Sequence, residues 1–345
     1  MKKKWLRPFL TVLGILLVAA FFLLPLPQYI EQPGSAESLK PFVTVDGQHD
    51  QKKGDYMLVT VGIRQATAFS WLMAQTNDFQ ETVSRQDLMG TADSATYDRV
   101  QEYYMTNSIN NAITQAYRAA KKTYQVDFLG IYVMEVIPTS SLAGKIQVGD
   151  TITAVDGHHF KNNQGFIDYL KNKKIGAQVT IDYLRAKKSA TTTAKIIALP
   201  GTKRHGLGIT LTDRTRVTTK IPVKIDAGDI GGPSAGMMFS LQVYEQLTGN
   251  QLRRGRKIAG TGTIAADGTV GAIGGIDKKV VAADRAGATI FFAPDDPVTK
   301  AIKRADPDYL NNYQTAKKAA KKIGTKMKIV PVKKFNDVLT YLADN

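Results

Sequence analysis

Apolar and polar residues alternate differently along the chain, and the changes mark its parts. The segment Phe9 to Leu26, within MKKKWLRPFLTVLGILLVAAFFLLPLPQYIEQPG, is apolar but for Thr11, and no charge falls between Arg7 and Glu31. As a helix it would span about 27 Å at ~1.5 Å per residue, close to a hydrocarbon core of ~30 Å. QPGSAESLKP then reads as a linker. GDYMLVTVGI (54–63) alternates and is rich in β-formers, which predicts a strand. Helical spacing follows over 66–76 and 97–122. In the second of these, Tyr104, Ile109, Ala112, Ile113, Ala116 and Ala120 recur at three- and four-residue steps, as core-packing positions do.

From about 124 to 199 the texture is that of a small β-rich unit. FLGIYVMEVIPTSSLAG predicts a strand followed by a small-residue stretch. VGDTITAVDG places a short strand between turns at Gly149 and Gly157. GFIDYLKNK has helical spacing and VTIDYL reads as a strand. From about 215 strands and helices mix. RVTTKIPVKID predicts a strand, and the loop GDIGGP leads into a helix, SAGMMFSLQVYEQLTG, with Gly249 as its C-cap. KIAGTGTI and TVGAIGG read as strands joined at the Asp267-Gly268 turn. A helix (IDKKVVAADRAG), a strand (ATIFFAP), a basic helix (314–323), a strand (KMKIVPV) and a final helix (FNDVLTYLAD) complete the chain. The expected fold class is α+β.

Composition narrows the chemistry. The 345 residues leave room for about two domains. With no cysteine, a disulfide framework, a thiolate metal site and a cysteine nucleophile are all excluded. His49, His158, His159 and His205 are scattered, so no metal site and no cofactor are expected. The net charge of +16 invites a nucleic-acid reading. Yet the basic residues fall in short pairs, as in AKKAAKKIG, and lack interleaved aromatics. An anionic membrane or cell-wall surface fits better. Lys2, Lys3, Lys4 and Arg7 precede the apolar segment, so the positive-inside rule predicts a cytoplasmic N-terminus and an extracellular bulk. A cleaved signal peptide would need the small-residue site Val18-Ala19-Ala20, but Phe21-Phe22-Leu23-Leu24 carry the apolar run past it.

The candidate chemistry lies in DIGGPSAGMMFSL (229–241). A Gly-Gly-Pro turn running into a helix puts Ser234 near a helix N-terminus, where unpaired N–H groups could hold an oxyanion or a phosphate. The nucleotide-binding pattern G-x-x-x-x-G-K-[ST] is absent. As a nucleophile Ser234 needs a base. His205 and Asp226 could complete a Ser-His-Asp triad, although GTKRHGLG reads as a loop. Lys278 and Lys279, in GAIGGIDKKVVAADRAG, could serve instead if burial lowers a lysine pKa. On residues alone a serine-lysine dyad and a structural coincidence weigh about equally.

Two resemblances shift that balance. VGD…I…VDG together with Phe128-Leu129-Gly130-Ile131 resembles a PDZ domain. It implies that Phe128, Leu129, Gly130 and Ile131 form a carboxylate-binding loop and its outgoing strand, on which a peptide adds at an open sheet edge. GGPSAG followed by IGGIDKK is similar to the proteolytic domain of Lon, which implies Ser234 as nucleophile and, by motif register, Lys279 rather than Lys278 as base. AGTGTI matches the Lon strand before that lysine. The match implies supporting roles for Thr261, beside the amine, and for Gly232 and Pro233 in the turn. Gly231 departs from the family, where an acidic residue is common. MTNSINNA (105–112) resembles an early Lon helix and implies a packing role for Ser108. The PDZ-like segment would then be an insertion in one discontinuous domain. The implied organisation is an anchor at 1–30, a linker at 31–49, Lon-like parts at 50–122 and 205–345, and a PDZ-like domain at 123–204. Taken whole, the chain resembles the membrane-anchored, PDZ-containing Lon-like serine proteases of Gram-positive bacteria. That implies an ATP-independent endopeptidase acting on secreted peptides or extracytoplasmic segments of membrane proteins. The alternative is a catalytically idle peptide-binding scaffold. Lon-like domains often form rings, so a homo-oligomer stays open.

Overall fold

A computed structural model describes residues 3–345 apart from Thr91 and Asp229, with side chains from Pro8 onward. Helix α1 (Lys3–Leu23) leads into strands β1 (Pro25–Ser38), β2 (Val43–Val45), β3 (Gln48–His49) and β4 (Asp55–Thr67). Then come α2 (Ala68–Ala74), β5 (Glu81–Ser84), α3 (Arg85–Met89) and the long α4 (Ser94–Ala119). The middle of the chain holds β6 (Tyr124–Val136), β7 (Thr151–Val155), α5 (Asn163–Lys171), β8 (Gln178–Arg185) and β9 (Lys188–Lys195). It ends with β10 (Ile197–Ala198), β11 (His205–Gly206) and β12 (Ile209–Thr219). The last part runs β13 (Val223–Ile225), α6 (Gly236–Thr248), β14 (Lys257–Gly260), β15 (Thr263–Ile264), β16 (Val270–Gly271) and α7 (Ile276–Arg285). It closes with β17 (Ile290–Pro294), α8 (Lys300–Ala305), α9 (Asn312–Ile323), β18 (Lys328–Val332) and α10 (Phe335–Asp344).

One six-stranded sheet, ordered β18-β17-β14-β4-β1-β5, takes strands from both ends of the chain. β14 pairs in parallel with β4 and β17, whereas β1 pairs antiparallel with β4 and β5. Both faces are covered, and side-chain alternation divides the strands between two cores. Tyr56 and Leu58 of β4 join Ile258 and Phe292 on the face packed by α4, α6 and α10. Met57 and Val59 join Ala259 and Phe291 on the opposite face, under α7 and α9. At the far end of α6, Arg253 is 1% exposed and ion-pairs with Asp50 and Glu245, while Tyr56 donates to Glu245 Oε2 at 2.5 Å. This buried network ties α6 to the strand beneath it, since a lone buried charge would be costly.

Three expectations change here. The linker expected over 31–49 is largely strand: β1 continues to Ser38 and buries Ile30 in the sheet. Its prolines disguised it, and Pro33 sits at a register shift in the pairing with β4, where a missing N–H is tolerated. The apolar helix stops at Leu23, not Leu26, because Pro25 opens β1. Among the described residues no helix is long and apolar enough to cross a membrane. Lys2 lies outside the described residues, as do the side chains of Lys3, Lys4 and Arg7.

The third change concerns the β-rich unit, a five-stranded sheet ordered β12-β6-β7-β8-β9 around its own core. Phe128–Ile131 lie inside β6, and Ile131 pairs with Asp213 of β12 on one side and Ile152 of β7 on the other. The edge there is closed. The edge strand beside α5 is β12, so the unit extends beyond residue 204 to Thr219.

Candidate active site

The sequence brings Ser234 and Lys279 from opposite layers to the C-terminal end of β14. α6 has Ala235 as its N-cap residue and no side-chain cap, so Ser234 does not cap the helix. The turn before it is held from three sides. Gly232, at φ +85°, donates its N–H to Gln101 O at 3.4 Å; the positive φ favours glycine. Pro233 O accepts from the buried Ser108 Oγ at 2.9 Å. Ser234 O accepts from Gly262 N at 2.8 Å and from Thr261 Oγ1 at 3.1 Å. Gly236 lets α6 approach α4: a Cβ there would lie 2.5 Å from Ser108 Oγ. Gly231 is constrained too, as its Cβ would fall 3.1 Å from Gln101 Cβ. Helix α4 thus occupies the space that a larger residue at this position would need.

Lys279 stands in the first turn of α7, whose N-cap Gly275 is left-handed at φ +63°. Its Nζ lies 2.9 Å from Ser234 Oγ and 3.2 Å from Thr261 Oγ1. Burial lowers the Lys279 pKa from its ordinary 10.5 to about 8. No carboxylate is paired with it among the described residues, and the positive end of the α7 dipole acts in the same direction. Lys278, one residue earlier, points elsewhere and pairs with Glu81 Oε2 at 3.0 Å and Asp277 at 3.6 Å. Burial pulls its pKa down, but Asp277 and Glu81 outweigh this and hold it above the ordinary lysine value. Of two adjacent lysines, one is locked as a cation and the other is poised to lose its proton.

Thr261, 1% exposed, positions the amine. Its hydroxyl hydrogen is committed to Ser234 O, so toward Lys279 it can only accept. A neutral Lys279 therefore donates one N–H to Thr261 and turns its lone pair toward the serine hydroxyl. Removing that acceptor should slow the reaction. Thr261→Val is expected to lower kcat about tenfold or more, because the bond becomes charge-assisted as Lys279 takes up the serine proton and is then worth ~1.5–3 kcal/mol; steady-state kinetics beside Thr261→Ser checks this.

The other candidates do not converge on Ser234. His205 belongs to β11, and its Nε2 lies 3.1 Å from Lys171 O. Asp226 is exposed and pairs with Lys224. Asp229 lies outside the described residues.

The sequence reading missed the open edge of the β-rich unit. Gly206-Leu207-Gly208-Ile209 turns into β12, with Gly208 at φ +70° and its O accepting from Ile137 N. A Cβ on Gly208 would lie 3.0 Å from Ile137, Ser140 and Ile197 side chains. At the other end of this edge, Asn163 at the start of α5 donates its N–H to Asp213 Oδ1 at 2.7 Å. The signal was present, because Leu207-Gly208-Ile209 repeats the pattern of Leu129-Gly130-Ile131.

Comparison with known proteins identifies two kinds of domain in the chain. Residues 186–344 match the Lon protease (S16) C-terminal proteolytic domain and residues 99–196 match the PDZ domain. The chain thus carries a Lon-type proteolytic domain and a PDZ domain. It is 43% identical to a Lon protease of Desulforamulus reducens over 65 residues, 19% of this chain and 8% of that protein. It is 29% identical to one of Trichlorobacter lovleyi over 144 residues, 41% of this chain and 16% of that protein. Its matches therefore span only a small share of these relatives. The PDZ domain of an SdrC-like protein from Listeria monocytogenes is 39% identical, covering 25% of this chain and 92% of that one, with a TM-score of 0.24.

Proposed function

We propose that the protein is a serine endopeptidase in which Ser234 is the nucleophile and Lys279 the general base, working without ATP at a membrane surface. The observation that carries this reading is the buried Lys279 amine, 2.9 Å from Ser234 Oγ, with its pKa lowered to about 8. Neutral Lys279 takes the hydroxyl proton as Oγ bonds to the scissile carbonyl carbon. Backbone N–H groups of the turn at Ser234 hold the oxyanion. The ammonium of Lys279 then gives its proton to the leaving amine as the C–N bond breaks. Water attacks the acyl-enzyme with Lys279 again as base, and the acid leaves as Ser234 regains its hydrogen. Ser234 is only partly buried, as a residue meeting an external substrate must be.

The PDZ domain selects or positions the substrate by taking an extended segment onto β12 beside α5. Substrates are secreted peptides or extracytoplasmic segments of membrane proteins. Anchoring by α1 is supported by its uncovered apolar surface, with Phe9, Ile15, Leu16 and Leu17 all more than half exposed. The sequence places Lys2, Lys3, Lys4 and Arg7 at the N-terminal end of this segment, the side that the positive-inside rule assigns to the cytoplasm. The N-terminus then lies in the cytoplasm and the catalytic domain outside.

A fluorophosphonate probe tests the catalytic reading. It is expected to add its mass to the peptide containing Ser234, and nucleotide-free protein is expected to cleave an unfolded protein substrate. A protein that binds peptides but neither takes the label nor cleaves would be an idle scaffold.

A further inference from the structure

Helix α2 is built inside out. Its small residues Ser70 and Ala74 are buried, the latter packing with Ile30 and Ala66, while Phe69, Trp71, Leu72 and Met73 are 40%, 38%, 53% and 49% exposed. Burying such side chains is ordinarily strongly favourable, so this orientation forgoes a large stabilisation in water. The helix is nevertheless well formed, with a capping box between Thr67 and Ser70, and it carries no charge. Ile63, on β4 shortly before it, is also 45% exposed.

The exposed face continues directly into α1. The Phe69 ring lies 4.7 Å from that of Phe22 and 6.1 Å from that of Phe21, in the last turn of α1. Those rings stand where an anchoring helix emerges from the hydrocarbon, the depth at which Trp and Phe are stable with one side apolar and the other wet. We propose that α2 is a second membrane contact, lying in the bilayer interface beside α1 and fixing the orientation of the catalytic domain on the membrane. The inference rests on the membrane reading of α1. It names lipid rather than another protein because the face is continuous with α1 and bears no charge to select a protein partner.

The chain has only two tryptophans, Trp5 and Trp71, so Trp5→Phe leaves Trp71 as a single reporter. The full chain would be reconstituted into vesicles of phosphatidylcholine and phosphatidylglycerol, with phosphatidylcholine brominated at shallow or deep acyl positions. Trp71 emission is expected to fall at least twofold with shallow bromines, less with deep ones, and to resist aqueous iodide. If the chain floats with the vesicles while Trp71 ignores bromine and is fully quenched by iodide, the α2 contact is wrong and the anchor stands. If the chain does not float, the membrane reading fails and takes the α2 contact with it. The absence of cysteine allows one further arm, Trp71→Cys. Disulfide-linked dimers of that variant, with bromine quenching absent in Trp5→Phe, would assign the face to a second copy and overturn the proposal.

Discussion

Ser234→Ala is expected to lower kcat/KM for peptide cleavage by about 10⁴-fold or more, the scale seen when a covalent nucleophile is removed. The fold should survive. The serine is only partly buried, does not cap α6, and its carbonyl bonds to Gly262 N and Thr261 Oγ1 belong to the backbone. Circular dichroism and thermal melting should therefore overlay those of the parent while activity disappears. Peptide binding to the PDZ domain should also persist, since Ser234 belongs to neither β12 nor α5. Loss of folding together with activity would leave only a structural role for the serine.

Lys279→Met is expected to abolish turnover to a similar degree without weakening the fold. Methionine fills a comparable volume but carries no base. The burial that lowers this amine's pKa from 10.5 to about 8 also means that folding disfavours its charged form. Below pH 8 both folded and unfolded chains hold the proton, and the folded state bears the full cost, on the order of 3 kcal/mol. Between about pH 8 and 10.5 only the unfolded chain holds it, so parent stability rises with pH. Above that range the cost is gone. Removing the amine should raise stability at pH 7, offset in part by the lost contacts with Ser234 and Thr261, and should flatten that rise. Denaturant unfolding at pH 7 and pH 10 measures both effects. Lys279→Arg should not restore turnover, because a guanidinium stays protonated in this range.

Much of the candidate site was legible because the residues that shape it are local. The turn residues before Ser234, the helix after it and the glycines before Lys279 lie within short stretches, and motif register chose Lys279 over Lys278. Burial and pairing supply the reason: adjacent side chains on a helix diverge, and only one reaches the serine. What stayed hidden depended on distant parts of the chain. Whether β6 or β12 forms the free edge is settled by pairing between strands some eighty residues apart. No pattern within Phe128–Ile131 carries that information. β1 was masked by prolines that a central strand seldom tolerates, and only its register with β4 shows how one of them is accommodated. The exposed apolar face of α2 was equally invisible, because helical spacing reveals an apolar surface without saying which way it turns.

The central claim is that a buried lysine becomes neutral and takes the proton from Ser234. The most direct measurement is kcat/KM for a neutral peptide, one without groups titrating in the range, followed from pH 6 to 10. The account predicts a rise of about tenfold per pH unit below the lysine pKa and a plateau above roughly pH 8. A rate that is flat across that range, or that falls as pH rises through 8, would contradict it.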